Sequence, residues 1–176
     1  MTEGPYGYFL TFTCYGTRLH GDSRGSVDRK HNLVGARYLE EDPLRSATER
    51  GLMTADVASL DEPERAIVLE EIISSCSRQN WLLHAAHVRS THVHVVLTTA
   101  TKPEVVLGKV KSFASRALNK RFGKKQRRWA THGSTVWLWD PRRLDRAVDY
   151  VVRGQGSPMQ LYVNKLAWEE YMDHEE

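Results

Sequence analysis

His92 and His94 flank Val93 at the start of an apolar run that continues to Leu97. Side chains of a β-strand alternate between its two faces, so both imidazoles are predicted to point the same way. Imidazoles are common metal ligands, and two of them side by side on a rigid strand can hold a divalent cation. Two ligands rarely hold a metal alone, so this interpretation requires a third. A pair of structural histidines satisfied by hydrogen bonds is the alternative.

Tyr150 is the second side chain that could do chemistry. Its spacing from Arg143, Arg146 and Arg153 places all four residues on one stripe of a predicted helix. The neighbouring stripe is apolar, so Tyr150 is predicted to lie at the edge of the core, among arginines. A tyrosine in that position either packs as an amphipathic residue or presents its phenol to a phosphate group that the arginines bind.

A basic block precedes that helix. The chain carries a formal net charge of only +3, yet no Asp or Glu occurs between Val105 and Trp139. Such an uneven distribution is typical of a surface that binds a phosphate backbone, although a solvated helix face would have the same composition. The side chains predicted to contact nucleic acid are Lys109, Lys111, Arg116, Lys120, Arg121, Lys124, Lys125, Arg127 and Arg128, with Arg143 and Arg146 from the later helix.

Composition favours one soluble domain covering residues 1–176. Hydrophobic residues make up 40% and charged residues 27% of the chain, and no segment approaches the roughly 18 apolar residues of a membrane span. The N-terminus lacks a signal-peptide pattern. Cys14 and Cys76 are isolated, so neither a zinc ribbon nor a disulfide framework is expected, and a cytoplasmic location fits.

The elements that must position these residues are predicted from periodicity and turn signals. Strands are predicted at 6–15, 81–88, 92–98 and 136–139, and helices from Asp61 through Cys76, at 103–122 and at 141–153, with a further helical turn at 167–172. A polar insertion at 16–60 follows the first strand. This order is close to the split βαβ, ferredoxin-like plan, an α+β fold with an antiparallel sheet and two helices on one face. The additional C-terminal helix carries Tyr150.

The motifs together resemble a known family. His92-Val93-His94, the basic helix and Tyr150 within Asp149-Tyr150-Val151-Val152 are similar to the single-tyrosine HUH transposases, in particular the REP-associated tyrosine transposases. HUH denotes two histidines around a bulky apolar residue. The opening strand from Phe9 to Thr17 also resembles that branch, and the resemblance extends from about Tyr6 to Pro158.

The resemblance implies a metal-dependent endonuclease and strand transferase acting on single-stranded DNA, with a hairpin structure expected in that DNA. His92 and His94 would hold Mg²⁺ or Mn²⁺, which acts as a Lewis acid on the scissile phosphate. Tyr150 would attack the phosphorus and form a covalent 5′-phosphotyrosine. The family also implies a bacterial, nucleoid-associated protein, either a monomer or a homodimer, with no membrane partner.

One departure from the family pattern concerns the third ligand. Relatives often carry an amide side chain four residues after the tyrosine, but here that position is Gly154 and the amide follows at Gln155. Gln155 is predicted as the third ligand if the helix ends in a wider turn; otherwise the ligand lies elsewhere. The family's Asn-Pro is replaced by Gly156-Ser157-Pro158.

Other readings remain open from the sequence. The chain could be a catalytically silent nucleic-acid-binding domain of the same fold, or a phosphodiesterase that uses the two histidines with water. Tyr162 and Tyr171 are fallback nucleophiles. His84 and His87 are predicted to be structural, and His132 could touch phosphate. Trp137 and Trp139 are predicted to pack in the core, with base stacking as the alternative.

Overall fold

A five-stranded sheet forms the centre of the computed structural model, which describes residues 4–17, 19, 42–123 and 125–165. The strands are β1 (Gly7–Thr13), β2 (Leu82–Val88), β3 (His92–Thr98), β4 (Ser134–Leu138) and β5 (Gln160–Val163). Every pairing is antiparallel, and the order across the sheet is β4-β1-β3-β2-β5. The predicted α+β fold with an antiparallel sheet is therefore confirmed.

The described residues contain four helices, and the ends of these helices follow local sequence signals. They are α1 (Pro43–Gly51), α2 (Glu62–Arg78), α3 (Pro103–Phe122) and α4 (Pro141–Arg153). A capping box starts α2: the Asp61 carboxylate accepts the Glu64 amide at 2.9 Å, and the Glu64 carboxylate accepts the Asp61 amide at 3.1 Å. Gly123 ends α3 in the left-handed conformation, at φ +67°.

The sheet is covered on both faces. One core contains alternate residues of β1 and β3, such as Leu10, Phe12, Val93 and Val95, packed against the buried sides of α2 and α3. The second core lies on the opposite face, where α4 packs on Val96 and its neighbours. Since His92 and His94 alternate with Val93 and Val95 along β3, both imidazoles lie on the face that α4 covers.

Two elements differ from the sequence prediction. The half-buried strand β5 was not predicted, because its four residues carry little periodicity and, among the described residues, it pairs with β2 at the edge of the sheet. Helix α1 lies inside the segment predicted as a polar insertion. The helical turn predicted at 167–172 lies outside the described residues, as does most of 16–41. Within the described ranges, no helix is long and apolar enough to cross a membrane.

Candidate functional site

His92 and His94 lie side by side on the face of β3 that α4 covers. Their ring centroids are 4.9 Å apart. His94 is nearly buried, at 6% exposure, whereas His92, at the first position of β3, is half-buried. The pair thus stands at the end of the sheet, with one ring in the protein interior and the other open to solvent.

Threonine hydroxyls orient both rings. The Nδ1 atom of His94 lies 2.8 Å from the hydroxyl of Thr11, its cross-strand partner on β1. The Nδ1 atom of His92 lies 3.0 Å from the hydroxyl of Thr91. Metal-binding histidines commonly engage their second nitrogen in this way, which fixes both the tautomer and the ring plane. The Nε2 atoms of both rings therefore face the same point.

Gln155 brings an amide oxygen to that point. Its Oε1 lies 3.0 Å from Nε2 of His94 and 3.4 Å from Nε2 of His92. Helix α4 ends at Arg153, and Gly156 then adopts the left-handed conformation at φ +69°. Gln155 therefore lies in the turn between α4 and β5, where its side chain reaches the histidines of β3.

The three converging atoms fit a divalent cation. When each histidine donates Nδ1–H to its threonine, the two Nε2 lone pairs and the amide oxygen face one another, and a cation among them removes their repulsion. Two imidazole nitrogens and one amide oxygen suit a divalent transition-metal ion such as Mn²⁺ better than Mg²⁺, which prefers oxygen ligands, and they leave positions for phosphate oxygens and water. The described part of the chain holds no group of three or more His, Cys, Asp or Glu that could form a different metal site.

Tyr150 lies beside this donor set. The residue is 46% exposed, and its ring contacts His94 and Phe9 edge to face, with centroid separations of 5.8 and 5.9 Å. A Cβ atom added to Gly154 would lie 2.7 Å from both Cδ2 and the carbonyl oxygen of Tyr150. The tyrosine ring therefore occupies the space that a side chain at position 154 would need. The phenol is accessible to solvent while its ring is held by the sheet.

Arg128 and Lys111, two residues predicted to contact DNA, bond to other parts of the protein and are partly desolvated by burial. Arg128 is only 3% exposed, its guanidinium donates to the Asn119 side chain, and burial lowers its pKa. This location corrects the prediction that Arg128 contacts nucleic acid. The Lys111 ammonium donates to the backbone carbonyl of Ala130 at 2.6 Å, and burial lowers the pKa of this lysine as well. Lys124 lies outside the described residues.

The remaining basic side chains lie on two surfaces. Arg143 and Arg146 are exposed on α4, and Arg143 pairs with Asp140 at 3.1 Å. The others belong to α3 and the segment after it, which lie on the opposite face of the sheet from His94: Lys109, Arg116, Lys120, Arg121, Lys125 and Arg127.

The segment after α3 returns to the end of the sheet that carries the histidine pair. The Tyr15 amide donates to the Arg128 carbonyl at 2.8 Å, and the Arg127 guanidinium lies 4.4 Å from the centroid of the Tyr15 ring. Thr13, two residues before Tyr15, is the cross-strand partner of His92. Of the basic residues that follow α3, Arg127 is therefore the one whose described contacts place its side chain near the histidine end of the sheet.

The other aromatic and histidine candidates lie away from the site. Tyr162 packs against the α2/α3 core, on the face opposite the histidine pair, and Tyr171 is outside the described residues. His132 is exposed. The prediction that Trp137 and Trp139 pack in the core is wrong: they are 37% and 53% exposed and stack on each other at 5.4 Å.

The sequence interpretation missed the two threonines. Thr91 adjoins His92 and could have been noticed from the sequence alone. Thr11 could be assigned only with the register of β1 against β3, because it lies 83 positions from His94 in the chain. Its position in the alternation of Phe9, Thr11 and Thr13 is the signal that this residue shares the face of the histidines.

Comparisons with known proteins include a similarity to a solved structure. No family model and no curated protein matches the sequence. Among solved structures, the chain is similar to a REP-associated tyrosine transposase that was determined bound to a REP hairpin. The two chains are 12% identical with a TM-score of 0.47, and the match covers 85% of this chain. This chain spans 66% of the length of that transposase.

Proposed function

We propose that this protein is a metal-dependent endonuclease and strand transferase for single-stranded DNA, with Tyr150 as the nucleophile. The observation that carries the proposal is the convergence of His92 Nε2, His94 Nε2 and Gln155 Oε1 beside the exposed ring of Tyr150. A cation site next to an accessible phenol has the parts that nucleophilic attack on a phosphodiester requires.

The reaction forms one bond to phosphorus and breaks another. The Tyr150 phenol gives its proton to water and its oxygen attacks the scissile phosphorus, which the 46% exposure of the side chain allows. The bond between phosphorus and the 3′ oxygen breaks, and that oxygen takes a proton from water. The products are a 5′-phosphotyrosine and a free 3′-hydroxyl. Attack by a different 3′-hydroxyl reverses the step and joins strands, so no nucleotide cofactor is consumed.

The chain's own residues prepare the site for this step. His92, His94 and Gln155 would hold Mg²⁺ or Mn²⁺, which when bound supplies Lewis-acid charge to the scissile phosphate. Phe9 and His94 contact the Tyr150 ring edge to face, so the proposed nucleophile is already positioned before the reaction.

Exposed basic side chains would guide the flanking DNA. Arg146 precedes Tyr150 by about one helical turn on α4, on the same side of the sheet. Arg127 lies at the same end of the sheet, but it belongs to the segment after α3, on the opposite face from α4. DNA in the site can therefore meet positive charge on both sides, which suits a flexible strand that passes around the end of the sheet.

The test is covalent capture of DNA. Labelled single-stranded oligonucleotides that contain a hairpin with randomised flanks are incubated with Mn²⁺ and separated under denaturing conditions. The wild-type protein is expected to form a labelled adduct, and Tyr150→Phe is expected to lose it while still binding DNA. Tyr162→Phe is the matched control, because Tyr162 lies on the other face of the sheet, and it should keep the adduct.

Other outcomes identify other functions. An adduct that persists in Tyr150→Phe would refute the assignment of the nucleophile. Cleavage without an adduct, kept by Tyr150→Phe and lost in His92→Ala, would indicate a phosphodiesterase that uses water. Binding without cleavage of any oligonucleotide, with either Mg²⁺ or Mn²⁺, would indicate a catalytically silent binding domain.

A further inference from the structure

His87 connects the middle of the sheet to the segment that carries Gln155. The residue is fully buried in β2, at 0% exposure. Its Nδ1 lies 3.1 Å from the Val151 carbonyl oxygen, and its Nε2 accepts the Met159 amide at 3.0 Å. A carbonyl can only accept and an amide can only donate, so these partners require a neutral ring protonated at Nδ1.

The two partners lie on either side of Gln155. Val151 follows Tyr150 in the last turn of α4, where carbonyl groups have no partner within the helix. Met159 immediately precedes β5. From the same end of β2, Arg89 donates to the Ser157 carbonyl at 3.0 Å. The turn that presents Gln155 is therefore fixed to the sheet at both ends.

The position of His87 argues for a role beyond packing. Ala85, the neighbour of His87 on the same face of β2, is apolar and fully buried, so an aliphatic residue would suit this face of the strand. Such a residue would leave the Val151 carbonyl and the Met159 amide without these bonds. His87 is also the direct cross-strand partner of His94. It therefore connects the turn that carries Gln155 to the strand that carries His94.

We propose that His87 is a positioning residue that holds Gln155 in place for metal binding; this inference rests on the proposed function. His87 acts through the backbone on either side of Gln155. Loss of its two hydrogen bonds should free the turn between α4 and β5 and move the amide oxygen away from the Nε2 atoms of His92 and His94. The cation site would then keep two ligands in place of three.

The test is a double-mutant cycle read by Mn²⁺ affinity in the absence of DNA. Binding is measured by electron paramagnetic resonance for the wild-type protein, His87→Asn, Gln155→Ala and the double variant. His87→Asn should raise the Kd for Mn²⁺ about 10- to 100-fold, the range typical of groups that orient metal ligands. In the Gln155→Ala background the same substitution should change the Kd less than about twofold, because the ligand it positions is gone.

A second variant and a control keep the test decisive. The amide oxygen of a glutamine can still accept the Met159 amide, so His87→Gln should raise the Kd for Mn²⁺ less than His87→Asn does. If His87→Asn folds poorly, His87→Gln takes its place in the cycle. His84→Gln changes another buried histidine of β2 that bonds to Thr98, at the far end of the sheet, and should leave the Kd unchanged. An equal fold-change in both backgrounds, or none in either, would overturn the role of His87 alone. A wild-type protein that binds no Mn²⁺ would overturn the proposed function as well.

Discussion

Thr11→Val is the substitution that most directly tests whether the histidine pair is built for metal binding. Valine keeps the size and branching of threonine but removes the hydroxyl that lies 2.8 Å from Nδ1 of His94. A neutral hydrogen bond contributes about 0.5–1.5 kcal/mol to stability, so the melting temperature should fall by roughly 2–4 °C per kcal/mol in a protein of this size. The fold should survive this change.

The effect on the cation site should exceed the effect on stability. Without the Thr11 hydroxyl, His94 loses the contact that fixes its ring plane and its tautomer. Groups that orient a metal-binding histidine contribute about 10- to 100-fold in affinity, which corresponds to roughly 1.4–2.7 kcal/mol. Calorimetry or electron paramagnetic resonance with Mn²⁺ measures this difference directly, well below the melting temperature of either protein.

Two further variants define the control for this experiment. Thr13→Val makes the same change two residues along the same face of β1, beside His92 in register, and should not alter Mn²⁺ affinity because the Nδ1 partner of His92 is Thr91. Thr11→Ser keeps the hydroxyl and should restore most of the affinity. If Thr11→Val binds Mn²⁺ as well as the wild type, or if Thr13→Val loses as much, the argument that the threonine orients a ligand is refuted.

Three other predictions concern the nucleophile, the pH dependence of stability and the DNA surface. Gly154→Ala should displace the nucleophile's ring and reduce adduct formation with little change in DNA binding, whereas Gly108→Ala, whose Cβ would contact nothing within 4 Å, should not. Burial lowers the pKa of His84 below 6.5, so the free energy of unfolding should fall as pH drops from about 6.5 through the folded-state pKa, and less so in His84→Gln. Arg127→Ala should reduce the slope of the salt dependence of DNA binding by about one unit, and Lys102→Ala, at the other end of α3, should leave it unchanged; equal slopes would refute the proposed DNA path past Arg127.

The parts of the fold that local sequence signals determine could be predicted. Strand β3 begins at His92 and ends at Thr98 as expected, and the signals at Asp61 and Gly123 mark the helix boundaries where the structure has them. These boundaries depend on hydrogen bonds and backbone preferences within a few residues. Strand β5 and the face on which α4 packs depend on long-range contacts, for which a single sequence carries little signal.

The same limit applies to the site. The alternation of β3 was enough to place His92 and His94 on one face. The orientation of Gln155 depends on the left-handed backbone at Gly156 and on hydrogen bonds from β2, and neither is visible in the order of residues. The burial of Arg128 was missed for a related reason: a basic block shows its charge in the sequence, but the Asn119 side chain that holds this arginine becomes its neighbour only in the fold.

Gly154 stands where the sequence resemblance leads us to expect an amide side chain, and the structure leaves little room for one there. The Tyr150 ring lies against Gly154, and an added Cβ would come within 2.7 Å of it, so a side chain at position 154 would have to displace the ring of the proposed nucleophile. The amide instead follows at Gln155, beyond the last residue of α4, where the helix no longer fixes the backbone. Contacts from the sheet must then supply the rigidity that a helical position would have given. His87 and Arg89 bond to the chain on both sides of the turn, so β2 and the residue that follows it supply this rigidity.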